Sequence, residues 1–157
     1  AKNFAILDSL INKNSYSEKV ANFPTSKVKE ELDTIQSMTR EDNLMMVVEN
    51  IINNKSEDEW YKKGIESLKK GSPTSAHLIW LQCLNSADLS LKEVFNFELN
   101  LAIQITRMGD FKEGIRALII DKDNTPRWKY NSIAEVPIEW IDKHTGLAWG
   151  KNPLEDL

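Results

Sequence analysis

The stretch SLKEVFNFELNLAIQITRMGDFKEGIRALII, residues 90–120, decides the fold class of this chain. In its first part, apolar side chains recur every three or four residues, which is the spacing of one face of an α-helix. Ser90 and Glu93 precede them with the spacing of a capping box, in which the hydroxyl and the carboxylate each accept a hydrogen bond from a backbone amide at the helix start. The apolar side chains with this spacing are Val94, Phe97, Leu101, Ile105 and Met108. We therefore predict a helix that begins after Ser90 and ends at Gly109.

Similar apolar spacing predicts helices over most of the chain. Asp110 and Glu113 open the next one, which runs to Ile120. Further helices are predicted over residues 4–11, 28–38, 44–52 and 56–70, from residue 73 to 84, and over a short segment at 138–143. No convincing stretch alternates apolar and polar residues as a strand does, and only 6 glycines and 5 prolines are available for turns. The sequence predicts an all-α chain, a single helical domain of about seven helices, with residues 1–24 as an N-terminal helix and linker and residues 25–157 as the helical domain.

Three local details are predicted for the helices between Ser56 and Leu84. Ser56 and Glu59 have the spacing of a second capping box. Gly71 is expected to end that helix in the left-handed conformation, which glycine adopts without steric cost. The following helix is dense in apolar residues and is predicted to be buried, with Cys83 as a small core side chain.

The composition excludes several classes of protein. The chain has 157 residues, of which 41% are hydrophobic and 28% charged, and its net charge of −4 gives no basic surface for nucleic acid. It contains no run of 18 apolar residues, so we expect no membrane partner. A single cysteine and the lack of a signal peptide favour a cytoplasmic location. The chain also lacks an initiator methionine, which a cloning scar or a cut from a longer chain would explain.

The residue types that most often carry catalysis are few and isolated in this sequence. His77 and His144 are the only histidines, and neither belongs to a Cys-x-x-Cys, His-x-x-x-His or His-Glu pattern that would indicate zinc. His77 lies among apolar residues, where a histidine is typical of a satisfied core or boundary position. Cys83 would need a lowered pKa to act as a nucleophile, and its apolar neighbours favour a core role instead. The five tryptophans favour packing over stacking on a planar ligand.

The segment that starts at Asp121 begins like a calcium-binding loop, with acidic residues at alternate positions. Its sixth position is Pro126 where the loop needs glycine, and its twelfth is Ser132 where a bidentate glutamate belongs. The calcium interpretation therefore fails on spacing. No acid, base and stabilising group come together in the sequence, so we assign no catalytic residue and no metal ligand, and we expect no tightly bound cofactor.

From Ser72 onward the sequence resembles a known family. The residues that carry the resemblance are Ser72-Pro73-Thr74-Ser75 and Phe111-x-Glu113-Gly114-x-Arg116-Ala117-Leu118-Ile119-Ile120-Asp121-Lys122-Asp123-x-x-Pro126-x-Trp128. They are similar to the C-terminal signature of the 3-hydroxyisobutyryl-CoA hydrolase branch of the enoyl-CoA hydratase/isomerase (crotonase) superfamily. The ending Trp149-Gly150-x-Asn152-Pro153-Leu154 resembles bacterial rather than mitochondrial members.

The resemblance implies a part of an enzyme that acts on coenzyme A thioesters. Members of this branch hydrolyse the thioester of a short hydroxyacyl-CoA in valine breakdown, and other members of the superfamily are hydratases and isomerases. Their catalytic carboxylates and oxyanion-hole amides lie in an N-terminal core of β-strands and glycine-rich loops, which this sequence lacks. The resemblance therefore implies a C-terminal helical part that is inactive alone. Its expected partners are the acyl-CoA substrate and the missing N-terminal core. Assembly into a homo-oligomer is a further possibility.

One family role is carried over to this sequence. In crotonase relatives the last helix opens with Asp-x-x-Glu-Gly and brings a lysine and an aromatic residue to the adenosine-phosphate end of CoA. The matching helix here starts at Asp110 and Glu113, which puts Lys122 near the lysine position and Leu118, without an aromatic ring, at the other. Lys122 is thus the predicted CoA-binding residue, and a cation that complements the helix dipole is the alternative. Arg116 is expected to make a structural salt bridge or a carbonyl contact.

The sequence leaves two functions open. The chain is either the helical part of an acyl-CoA enzyme, which completes or covers the CoA site and makes domain or subunit contacts, or a stand-alone helical interaction module with no enzymatic role. A part of a larger core should expose a contiguous apolar surface. We expect part of that surface on the helix from Val94 to Met108.

Overall fold

The computed structural model of the chain describes residues 25–86, 88–151 and 153–154. The chain divides into two compact units, residues 1–39 and residues 40–157. The described residues form eight α-helices joined by turns, and no β-strand occurs among them. The all-α prediction is therefore confirmed. The predicted helix over residues 4–11 lies outside the described residues, and the predicted division after residue 24 stays a prediction.

The helices follow the predicted order along the chain. The first unit contains α1 (Lys27–Glu30) and α2 (Leu32–Met38). The second unit contains α3 (Leu44–Ile52), α4 (Glu59–Lys70), α5 (Pro73–Ser86), α6 (Leu91–Arg107), α7 (Asp110–Ile115) and α8 (Ile138–Thr145). A π-helical turn (Arg116–Ile120, the π-turn below) continues α7, and a short 3-10 turn (Ile133–Glu135) precedes α8. The single helix predicted over residues 28–38 is interrupted at Glu31.

The core of the second unit lies where α5, α6 and α8 meet. Four buried apolar side chains, 2–8% exposed, form a cluster there: Leu78, Leu101, Val136 and Ile141. Partly buried apolar side chains pack around them: Leu81, Phe97, Ile105, Tyr130 and Trp140. These three helices thus bury apolar side chains against one another, which is how a helical domain forms its core.

The two predicted capping boxes have different outcomes. At the start of α6, the Glu93 amide donates to the Ser90 hydroxyl at 3.4 Å and the Ser90 amide donates to the Glu93 carboxylate at 2.8 Å, so the first box is confirmed. The box of Ser56 and Glu59 is wrong. Asp58 caps α4 instead, because its carboxylate accepts the Trp60 amide at 2.8 Å while Ser56 accepts only the Asp58 amide.

The left-handed end predicted at Gly71 is also wrong. Gly71 has φ −69° and ψ 165°, which is extended backbone, because the chain passes directly from α4 into α5. A side chain at this position would still be unfavourable, since an added Cβ would lie 2.9 Å from the Ser67 carbonyl oxygen. The left-handed glycine is Gly109, with φ 117°, between α6 and α7.

The predicted burial of α5 holds for one side of the helix only. Leu78 and Thr74 are 2% exposed, whereas Ile79 is 60% and Leu84 52% exposed. Cys83 is exposed, so its predicted role as a core side chain is wrong. The reason is geometric: apolar residues lie all around α5, while the core contacts only one side of it.

Candidate functional site

The guanidinium of Arg116 joins the end of α7 to the loop that follows it. Its Nε donates to the Glu113 carboxylate at 3.0 Å, and its Nη2 donates to the same carboxylate at 2.7 Å. Its Nη1 donates to Asp121 at 2.6 Å and to Asp123 at 2.7 Å, and Nη2 also donates to the Thr125 carbonyl oxygen at 3.1 Å. Every nitrogen of the guanidinium has an acceptor, so the expected structural role of Arg116 is confirmed.

The backbone of the same loop turns sharply at the end of the π-turn. The Asp121 amide donates to the Arg116 carbonyl at 2.8 Å, and the Asn124 amide donates to the Ala117 carbonyl at 3.1 Å. Lys122 and Asn124 have φ values of 56° and 53°. Left-handed backbone is uncommon for residues other than glycine, and π-turns within helices are frequent at functional sites. These two observations mark the loop after α7 as the candidate site.

Arg116 lowers the pKa of two of the carboxyl groups that it binds, Glu113 and Asp123. Its hydrogen bonds, together with one from the Arg127 backbone amide, lower the pKa of Glu113 from 4.5 to about 2. A hydrogen bond from Arg116, with another from the Thr125 amide, lowers the pKa of Asp123 from 3.8 to about 2. The same contacts, that with Glu113 above all, raise the pKa of Arg116 above its ordinary value. The Glu113 and Asp123 carboxylates therefore stay ionised to a lower pH than they would without these contacts.

Lys122, the predicted CoA-binding residue, lies on this fixed loop and is exposed. Within the described part of the chain, its ammonium forms no salt bridge. Leu118, at the position that is aromatic in crotonase relatives, is 60% exposed on the π-turn. The CoA contact of Lys122 stays a prediction.

The sequence assigned no role to Asp121 and Asp123 beyond a calcium loop that fails on spacing. The structure gives them one, because both carboxylates bind Arg116. Part of this network could have been found from the sequence, since Glu113 and Arg116 have the i, i+3 spacing of an ion pair on one helix face. Among the described residues, no group of three or more histidine, cysteine or carboxylate side chains is arranged to hold a metal ion.

The two histidines have structural partners. His77 Nε2 lies 2.8 Å from the Ile133 carbonyl oxygen, which confirms the satisfied boundary position predicted for it. His144 is 2% exposed, and its Nδ1 lies 2.7 Å from the Trp140 carbonyl oxygen. Its ring contacts the Trp140 ring edge to face, with the centroids 4.9 Å apart.

Two tryptophans confirm the packing role predicted for this residue type. The Trp128 indole donates to the Lys70 carbonyl at 2.9 Å, and its ring lies so close to Gly114 that an added Cβ there would be 3.4 Å away. The Trp140 indole donates to the Thr74 hydroxyl at 3.2 Å. Both indole N–H groups therefore have partners within the fold, as is usual for tryptophans that pack in a core.

Polar side chains of α6 hold the backbone that follows α8. Asn100 Nδ2 donates to the Gly146 carbonyl at 3.0 Å, and its Oδ1 accepts the Ala148 amide at 2.7 Å. Gln104 donates to the Gly146 carbonyl at 2.8 Å and Arg107 to the Ala148 carbonyl at 3.2 Å. Sequence reasoning missed this set because its members bind backbone atoms more than forty residues away, which no local spacing indicates.

The π-turn and α7 carry a series of apolar side chains, which we call the apolar face: Ile115, which is half-buried, and the exposed side chains of Phe111, Leu118, Ile119 and Ile120. The last three are 60–69% exposed and Phe111 is 50% exposed. Phe111, Ile115 and Ile120 line one open groove. On α6, where part of an apolar surface is expected, Phe95 is 54% exposed. No helix in the described ranges is both long and apolar enough to cross a bilayer.

Comparison with known proteins supports the resemblance seen in the sequence. The profile of the enoyl-CoA hydratase/isomerase family matches residues 2–145. The chain is similar to the mitochondrial 3-hydroxyisobutyryl-CoA hydrolases of Xenopus laevis, 33% identical over 87% of this chain, and of Gallus gallus, 44% identical over 51% of this chain. It spans 34% and 21% of the lengths of these two relatives.

A solved structure shares the fold. It is an enoyl-CoA hydratase from Rhodobacter sphaeroides 2.4.1, which matches with a TM-score of 0.70 and 19% sequence identity. The match covers 94% of this chain and 43% of that enzyme. The helical arrangement of this chain therefore occurs within a larger protein of known structure.

Proposed function

The chain belongs to the enoyl-CoA hydratase/isomerase family of the crotonase superfamily, and we propose that it is the helical part of a 3-hydroxyisobutyryl-CoA hydrolase-type enzyme. In this proposal it completes or covers the CoA site and makes domain or subunit contacts, while the catalytic core is absent from this chain. A cytoplasmic location, a bacterial source, a role in valine breakdown and assembly into a homo-oligomer belong to the same proposal.

The observation that carries the proposal is the fixed loop after α7, which presents the Lys122 ammonium. Lys122 is exposed beside a network that holds its neighbours in place, and the resemblance puts the phosphate-binding lysine of the family near this position. An ammonium acts on phosphate as a point charge, so it can bind either the pyrophosphate or the ribose phosphate of CoA. The described residues provide an ammonium on an ordered loop, while hydrolysis or hydration of the thioester needs groups from the catalytic core.

The apolar face supports the part of the proposal that concerns domain or subunit contacts. Leu118, Ile119 and Ile120 are consecutive residues, and side chains that follow one another on a helix point roughly 80–100° apart. A partner that covers all three must therefore surround the π-turn on more than one side. The curated relatives are several times longer than the matched segment, so they contain additional chain that could supply such a surface.

The CoA contact is tested by Lys122→Ala and Lys122→Arg in the complete gene product. An exposed ion pair of about 1 kcal/mol corresponds to roughly fivefold in affinity, so we expect Lys122→Ala to raise KM for the CoA thioester about 3- to 10-fold with kcat unchanged. Lys122→Arg keeps the charge and should stay within about twofold of the wild type. Thioesterase and hydratase assays measure both constants, and an unchanged KM for Lys122→Ala would remove the CoA contact from the proposal.

A stand-alone interaction module is the second candidate, and the apolar face favours it as well. The two functions predict different binding behaviour in solution. A module of this kind binds a separate protein partner and gives no CoA-dependent signal, whereas the enzyme part should change its fluorescence or melting temperature with CoA once the catalytic core is present. A chain that is monomeric, binds no partner and responds to CoA only together with the core would exclude the module.

A further inference from the structure

We propose that Arg116 is a positioning residue for Lys122: it withdraws the two carboxylates that flank Lys122 in the sequence and fixes the backbone from which the lysine side chain extends. This inference rests on the proposed function, in which the Lys122 ammonium binds a phosphate group of CoA. Arg116 itself makes no contact with the ligand in this proposal. Its effect on CoA binding is exerted through Lys122.

Arg116 draws two competing negative charges away from Lys122. Asp121 and Asp123 are the immediate neighbours of Lys122, and either carboxylate would attract its ammonium in a flexible loop. In the structure both carboxylates bind the same nitrogen, Nη1 of Arg116, at 2.6 and 2.7 Å. Lys122 forms no salt bridge within the described part of the chain, so its ammonium stays available to an external anion.

The backbone at Lys122 is held in an uncommon conformation. Lys122 has φ 56°, a conformation that is unfavourable for lysine and persists only where the surroundings impose it. The Asn124 amide binds the Ala117 carbonyl at 3.1 Å, and the Asn124 side chain donates to the Lys122 carbonyl at 3.3 Å. The Arg116 side chain adds hydrogen bonds to Asp121, Asp123 and the Thr125 carbonyl of the same turn. Backbone and side-chain contacts together set the direction in which Lys122 leaves the loop.

The role proposed for residue 116 requires an arginine. The Arg116 guanidinium uses three nitrogens for two aspartates, one glutamate and the Thr125 carbonyl. A lysine offers one nitrogen and cannot hold these acceptors at once. The carboxylates that a shorter or less branched cation leaves unpaired would be free to bind Lys122. Both effects of losing Arg116, the captured ammonium and the loosened loop, weaken phosphate binding.

A double-mutant cycle on the complete gene product tests this proposal. Arg116→Gln, Lys122→Ala and the double variant are compared by KM and kcat for the CoA thioester, and by KM for the corresponding dephospho-CoA thioester. We expect each single variant to raise KM about 3- to 10-fold with kcat within about twofold. The double variant should have the same KM as Lys122→Ala alone, because Arg116 acts through Lys122. Arg127→Gln removes a cation from the same loop while its backbone contact remains, and it should leave KM unchanged.

The outcomes separate this inference from the proposed function. An unchanged KM for Lys122→Ala overturns both. A raised KM for Lys122→Ala with an unchanged KM for Arg116→Gln overturns the positioning role alone. So does a double variant in which the two effects multiply, because Arg116 would then act independently of Lys122. An equal rise in Arg127→Gln would show a general charge effect and would likewise overturn it. Where Arg116→Gln fails to fold by circular dichroism, Arg116→Lys takes its place in the same cycle.

Discussion

Replacing Asn100 by alanine should destabilise the second unit by more than the loss of one hydrogen bond would. Asn100 is 5% exposed and makes three hydrogen bonds to backbone: its Nδ2 donates to Thr145 O at 3.3 Å and to Gly146 O at 3.0 Å, and its Oδ1 accepts the Ala148 amide at 2.7 Å. Each bond contributes about 0.5–1.5 kcal/mol, and the long one to Thr145 O, at 3.3 Å, lies at the weak end of that range. We therefore expect Asn100→Ala to lower the free energy of unfolding by about 2–3 kcal/mol.

Gln104→Ala is the matched control for this experiment. Gln104 lies one helical turn further along α6 and donates one hydrogen bond, at 2.8 Å, to the same Gly146 carbonyl. Its loss should cost about 0.5–1 kcal/mol, because that carbonyl keeps Asn100 as a partner. Urea denaturation followed by far-ultraviolet circular dichroism gives both values. If Asn100→Ala lowers the free energy of unfolding no more than Gln104→Ala does, the stabilising role predicted for Asn100 is wrong.

Two further predictions concern the core and the charged loop. Leu78→Ala should lower the free energy of unfolding in urea by about 2–5 kcal/mol, because Leu78 is 2% exposed. Its neighbour Ile79 is 60% exposed, so Ile79→Ala should lower it by about 0.5 kcal/mol or less. Equal losses in the two variants would contradict the position of the core. The pKa values of Glu113 and Asp123 are lowered to about 2 in the folded state, so their stabilising contribution is complete above pH 5 and is lost as the pH falls toward 2. The melting temperature should therefore fall over this range, and it should fall less steeply in Arg116→Gln; identical slopes in the two proteins would refute this assignment.

The sequence predicts best those features whose partners lie within one helical turn. The capping box of Ser90 and Glu93 needs only a spacing of three residues, and it forms as predicted. The same rule fails at Ser56 because Asp58, two residues later, is a competing acceptor closer to the helix, and spacing alone does not rank the two. Helix type and order are thus accessible from local spacing, while the exact first residue depends on which acceptor wins.

Features that depend on contacts across the fold are not predictable from spacing. Cys83 has apolar neighbours in the sequence, yet it is exposed because the core touches another side of α5. Lys122 can be found through its resemblance to a family motif, but its left-handed backbone cannot, since the contact between Asn124 and Ala117 that imposes it joins residues on either side of the turn. The role of Arg116 lies between these cases: one carboxylate is a helical neighbour, and two follow in the loop.

The way in which α6 holds the segment after α8 affects how this part of the chain can diverge. Asn100, Gln104 and Arg107 bind only main-chain atoms of that segment. Substitutions of Leu147 or Ala148 by residues other than proline therefore leave every one of these bonds in place, whereas a single insertion or deletion would shift all of them by one residue. Among homologues we expect the length of this segment to be constant while its side chains vary freely, and we expect variation to be suppressed at the three positions of α6.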